Sequence, residues 1–207
     1  LNGGTFTYTL DDAYIHLALT EHLARGHYGV NAVEHSAPSS SIAWPFLLVP
    51  FALLGVEQYA PLLINLLAAG GVLWVAHRIT STALARADAP KRTIATTLIV
   101  VLFIPATNLL GLTFTGMEHV LQMMCAVLLV AGLIHERETG SVPWWVGAAL
   151  VAGPLVRYEN MALAAPALLY LAWRRYWRTA LVSGAILSAG IAGFSLFLHS
   201  NNLGWLP

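Results

Sequence analysis

Charge is scarce in this chain: of 207 residues only 10% are Asp, Glu, Lys or Arg, and the net charge is zero. A soluble domain carries about 25% charged residues, so the shortage argues against an ordinary soluble fold. The missing positive balance removes the electrostatic footprint of a nucleic-acid binder. Cysteine is nearly absent as well. The single Cys125 lies in an apolar run, which excludes a disulfide framework and a thiolate metal site and leaves a buried, inert thiol. The polar N-terminus lacks the basic-then-apolar pattern of a cleavable signal peptide. No internal repeat and no low-complexity tract interrupts the chain. What is abundant is apolar: 57% hydrophobic residues, seven Trp and a mean hydropathy of +0.69. These values predict an all-α polytopic transmembrane helical bundle.

Two regions follow from the distribution of polar residues. Residues 1–41 are polar and carry Asp11, Asp12, Glu21, Arg25 and Glu34. Within them Ile15, Leu19 and Leu23, spaced by four, predict a short juxtamembrane helix over 11–25, stopped by Gly26. Thr9 and Asp12 match a capping box at its start. Residues 42–207 form the transmembrane region, with apolar segments at 42–56, 59–76, 93–112, 120–134, 142–156, 161–173 and 179–198. Several fall short of the about 20 residues that a perpendicular span needs, which suggests re-entrant pieces, local thinning of the bilayer, or helices around a water-filled cavity. The start at Leu1 rather than Met leads us to expect a piece of a longer protein.

Basic residues orient the segments. His77, Arg78, Arg86, Lys91 and Arg92 share one joint, Arg137 marks a second, and Arg174, Arg175 and Arg178 a third. If these three are cytoplasmic, six crossings result, with both ends outside. The 42–56 segment, which contains Pro45 and Pro50, is then a re-entrant or interfacial piece. The outer face gathers Asp11, Asp12, Glu34, His35, Glu118, His119, Arg157, Glu159, Asn160, Asn201 and Asn202, while the inner face is left almost wholly positive. Trp144, Trp145, Trp173, Trp177 and Trp205 read as interfacial anchors.

Each outer group also has a plain structural reading. Asp11 and Asp12 suit a helix start, where carboxylates meet the macrodipole. Glu118 suits the start of the next helix, and Arg157 and Glu159 a turn whose charges reach water. Asp12 and His16 have metal-ligand spacing, but no third ligand accompanies them. The functional reading places Asp11 or Asp12 as a general base and Arg157 as a bidentate anion contact.

Several stretches together resemble the GT-C superfamily of membrane glycosyltransferases, in particular its bacterial arabinofuranosyl- and mannosyltransferase-like branch. They are Leu10-Asp11-Asp12-Ala13-Tyr14-Ile15-His16, the turn Gly26-His27-Tyr28-Gly29-Val30-Asn31, Thr115-Gly116-Met117-Glu118, and Leu155-Val156-Arg157-Tyr158-Glu159-Asn160. The ending Asn201-Asn202-Leu203-Gly204-Trp205-Leu206-Pro207 is similar to the stretch that leads into the next outer loop. Tyr158 and Asn160 stand where Pro and Gly are usual. The resemblance covers nearly the whole chain and implies the N-terminal part of such an enzyme.

It further implies transfer of a sugar from a polyprenyl-phosphate donor to a hydroxyl acceptor, with inversion. The acceptor is a glycan, a lipid or a protein. Asp11, with Asp12 next, is the expected catalytic base. Arg157 is the expected phosphate contact, and Glu118, Glu159, His119 and His35 line the substrate site. No cofactor is assigned, although an Asp-rich loop of this kind could hold a divalent cation. Membrane lipids are expected partners and nucleic acid is not. The expected setting is the bacterial inner (plasma) membrane, with the site facing the periplasm. Two alternatives stand beside this reading: a transporter or flippase of a lipid-linked or polar substrate, and a non-catalytic member of the same superfamily.

Overall fold

The computed structural model describes residues 6–205. Residues 1–5 of the polar stretch, and the last two residues of the Asn201–Pro207 ending, lie outside the described residues. All regular structure among the described residues is helical. Helix α1 (Asp12–Ala24) starts on Asp11, whose carboxylate accepts from the Asp12 backbone N–H at 3.1 Å. The expected capping box does not form. The Thr9 hydroxyl donates instead to the Phe114 carbonyl at 3.3 Å, across the interface between the loop and the bundle. Helix α2 (Ala43–Leu53) follows Ser41, whose hydroxyl accepts from the Trp44 N–H. Its 11 residues rise about 16 Å, too little to cross a hydrocarbon core of about 30 Å. It packs instead along α1, with Trp44 and Leu48 fully buried.

Beyond it come α3 (Ala60–Ala83), α4 (Ala89–Ala106), the five-residue α5 (Leu109–Thr113), α6 (His119–Thr139), α7 (Trp144–Val156), α8 (Met161–Trp173) and α9 (Trp177–Ser200). Among the described residues four stretches are long and apolar enough to cross a membrane: 57–83, 89–106, 119–139 and 177–200. The chain is therefore an all-helical protein with membrane-spanning character. Three expected segments are redrawn. Segment 59–76 runs on to Ala83, so His77 and Arg78 lie inside α3 rather than in the joint after it. Asn108 adopts the left-handed region at φ 51° and breaks 93–112 into α4 and α5. Segment 120–134 runs on to Thr139, carrying Glu136 into the helix.

Helices α7 and α8 have 13 residues each, yet α8 is as deep as α6. Arg157 meets His119, Asn160 meets Gln122, and Arg174 meets Glu136. All three pairs are 38 residues apart, so α8 and the turn before it run parallel to α6 in constant register. Between them α7 runs antiparallel. Gly132 of α6 faces it closely enough that a Cβ there would strike Val146 and Trp145. Trp145 is thus half-buried in packing, whereas Trp144, Trp173 and Trp177 stay exposed as expected of anchors.

The two ends of the bundle differ in charge. At one end sit the loop before α1, the starts of α3 and α6, the α7–α8 turn and the end of α9. Tyr8 bonding Gln58 and Leu62, Asn65 bonding Met117, and Leu19 packing on Phe194 and Leu198 tie them together. At the other end lie all of the ten Lys and Arg except Arg25 and Arg157. The sequence reading left that end almost wholly positive, but acids are built into it. Asp88 pairs with Lys91 at 3.0 Å, and Glu136 is fully buried beneath Arg174.

Candidate functional site

The acidic end is organised around Arg157. Helix α7 stops at this residue because its backbone turns extended (φ −153°, ψ 133°), and a single 3₁₀ turn, Tyr158–Asn160, leads into α8. The break throws the guanidinium sideways over the start of α6. There Nε and Nη2 donate to the two oxygens of Glu159, at 3.1 and 2.7 Å. Nη1 donates to Glu118 Oε1 at 3.1 Å and lies 3.0 Å from His119 Nδ1. Since a guanidinium only donates, His119 must accept through an unprotonated Nδ1. Four of the five N–H bonds of Arg157 are thus committed, leaving one on Nη2.

Glu118 is the unusual member. It is the residue before the first turn of α6 and is 0% exposed. Its Oε1 has Arg157, while Oε2 has no hydrogen-bond partner among the described residues and lies 3.9 Å from His16 Nε2. Burial lifts its carboxyl above the ordinary range, against the pull of Arg157. Burial likewise pushes His16 down to about 4, so the imidazole stays neutral beside it. By contrast Glu159 is 57% exposed, and its bidentate bond to Arg157 holds it down at about 2. One arginine therefore bridges a carboxylate sealed in the protein and another open to water.

Local backbone chemistry brings α1 onto this cluster. Gly116 takes φ +75° directly against Tyr8 and Ala13, a position closed to a larger residue on both counts. The buried Asn65 amide donates to Met117 O at 2.8 Å and fixes the same turn. With α1 seated, the Asp12 carboxylate acts electrostatically on His16 and His119. Asp11 and Asp12 both remain exposed, and Asp11 is engaged in capping α1.

Of the residues singled out in the sequence, the structure brings together Asp12, Glu118, His119, Arg157 and Glu159, with Asp11 at the rim. His35 stands apart. Its Nδ1 is 3.1 Å from the Tyr28 carbonyl and its ring lies 4.4 Å from that of His27, in a separate histidine group. The plain reading of a turn whose charges reach water fits Glu159, which is exposed, while Glu118 does stand at the start of α6 as its plain reading had it, but sealed from solvent. Among the described residues no group of three or more His, Cys, Asp or Glu could hold a metal ion, so Asp12 and His16 gain no third ligand.

An apolar groove of about 540 Å³ opens between α7 and α9 and is walled at one end by Leu155 and Val156, the two residues before Arg157 in the chain. Leu155, Val156 and Ala43 line its upper end, and Gly147 and Trp144 its lower end. Sequence reasoning missed this groove, and it also missed the buried Glu136. The signal for the groove was the run of small residues Gly147, Ala148 and Ala152 on α7. Compared with known proteins, the chain matches no family model, no curated protein and no solved structure.

Proposed function

We propose that this chain forms the donor-binding, membrane-embedded part of a GT-C-type glycosyltransferase that uses a polyprenyl-phosphate sugar. The observation that carries the reading is the meeting of three sequence-distant motifs at one end of the bundle. Asp12, Glu118 with His119, and Arg157 with Glu159 converge there, and the end of α7 that leads into Arg157 walls an apolar groove through Leu155 and Val156. A lipid-phosphate substrate needs a cation next to such a groove, and its acceptor needs a base next to the sugar.

In the reaction, an Asp carboxylate takes the proton of the acceptor hydroxyl as its oxygen attacks the anomeric carbon. The carbon–oxygen bond to phosphate breaks, and polyprenyl phosphate leaves with the electron pair. Asp12 is closer to the Arg157 cluster in its electrostatic reach, while Asp11 gives one oxygen to the helix cap. Arg157 receives the phosphate by exchanging Glu159 for it. A phosphate presents the same paired oxygens as a carboxylate, and Glu159 has water available when displaced. Glu118 stays in place and keeps the guanidinium aimed. Basic residues at the opposite end support a reacting end on the outer, periplasmic face of a bacterial inner membrane.

The test is transfer by the purified protein from polyprenyl-phosphate-linked arabinofuranose or mannose. Asp11→Asn and Asp12→Asn are made separately. Loss of a general base lowers the rate by about 10²–10⁴-fold, and at least one of the two variants should show it. Undiminished transfer in both sinks the proposal.

A further inference from the structure

Two cavities at the basic end meet at Arg137 and Tyr170. One, of about 420 Å³, is walled by Arg137, Tyr170, Trp173 and Arg174. The other, of about 270 Å³, is walled by Val130, Leu133, Ile134, Arg137 and Tyr170. Positions 130, 133, 134 and 137 form one stripe of α6, so an apolar channel descends from a guanidinium by about 10 Å of helix rise.

The charge above the channel is uncompensated. Of the two acids beside Arg137 in the chain, Glu138 makes no ion pair with it among the described residues, and Glu136 is sealed inside and bound on both oxygens. Arg174 donates to its Oε1 through Nε at 3.0 Å and sits 2.9 Å away through Nη2, and Tyr170 donates to Oε2 at 2.6 Å. Arg174 Nη1 is left over. Arg137 is exposed and makes no ion pair or hydrogen bond through its side chain among the described residues. Trp173, 79% exposed beside it, marks the depth of a membrane–water boundary.

We propose that this place binds an anionic phospholipid of the leaflet at the basic end. The headgroup phosphate lies between Arg137 and Arg174 Nη1, and one acyl chain lies on Val130, Leu133 and Ile134. Free phosphate would satisfy the guanidiniums and leave the apolar channel unused, whereas a lipid fills both and complements the charge. The site is at the other end of α6 from Arg157, and the inference does not depend on glycosyl transfer.

The experiment is native mass spectrometry of the purified protein with equal amounts of phosphatidylglycerol and phosphatidylcholine, counting retained lipid. Phosphatidylglycerol should be retained preferentially, and Arg137→Gln should lower that preference about fivefold, the worth of one cation near a membrane surface. Arg137 is an exposed side chain without a partner among the described residues, so this variant leaves the fold intact. Arg78→Gln, at the same end on α3, should keep the wild-type preference. Equal retention of the two lipids, or an Arg137→Gln preference equal to that of the wild type, overturns the proposal. An equal loss in Arg78→Gln also overturns it, because it would show diffuse charge rather than a site.

Discussion

Glu118 has no contact with solvent, whereas Arg157 keeps 18% of its side chain exposed, and this asymmetry sets the cost of removing either. Arg157→Ala strands a buried carboxylate and should cost about 3 kcal/mol, the low end for breaking a buried pair. Glu118→Gln leaves an arginine that still has Glu159 and water, and should cost only about 1 kcal/mol. Thermal unfolding of the two variants checks the order. The cluster also imposes a pH dependence. His16 is held down at about 4, so between there and its ordinary value of about 6.5 the unfolded chain binds the extra proton. Its contribution is intact above that window and is lost as pH falls through it. Glu159, held at about 2, adds a loss with the same sign between about 4.5 and 2. A His16→Gln variant, compared with wild type from pH 7 to 4, should therefore lose less of its melting temperature. A constant difference between the two curves would refute the assignment. None of this was legible in the sequence beyond the residue types. Glu118 was visible as a helix start, but its burial depends on Tyr8 and Ala13 meeting Gly116 from a distant part of the chain.

At the level of helices, the sequence reading was best where apolar runs end at sharp punctuation. The 161–173 segment coincides with α8, between the Tyr158–Asn160 turn and Arg174. It was poorest where charges sit inside a helix. Segment 120–134 was cut short because His135, Glu136 and Arg137 look like a loop. Their helical conformation depends on partners 34 and 38 residues away, Tyr170 and Arg174, which no local pattern reveals. The same partners make α6 and α8 vulnerable unequally. Arg174→Ala abandons a buried acid, while Glu136→Gln leaves a half-exposed arginine to water. The first should lower the melting temperature more than the second, and a reversed order would show that Glu136 is solvated. Where α6 and α7 touch, Gly132→Ala should cost about 1–3 kcal/mol through overpacking against Val146. The same change at Gly184, with nothing within 4 Å, should cost no stability.

For the whole molecule, the segregation of charge was readable in advance because it rests on which joints carry Arg and Lys. The structure bears out that the joints before α6 and α8 share one end, and that those after them share the other. In a Cys125→Ala background, a cysteine replacing Glu34 should react with an impermeant maleimide on intact cells. One replacing Arg92 should react only after permeabilisation. Labelling of Arg92→Cys from outside would invert the orientation. The constant register between α6 and α8 carries a mechanical consequence. Each end of the pair is pinned by a carboxylate on a guanidinium, at Glu118 with Arg157 and at Glu136 with Arg174. A slip of one helical turn, about 5.4 Å, would break both pins together and strand both acids. The two helices cannot act as a piston. Motion at one end must reach the other as the tilt of a single lever, some 27 Å long between its pins.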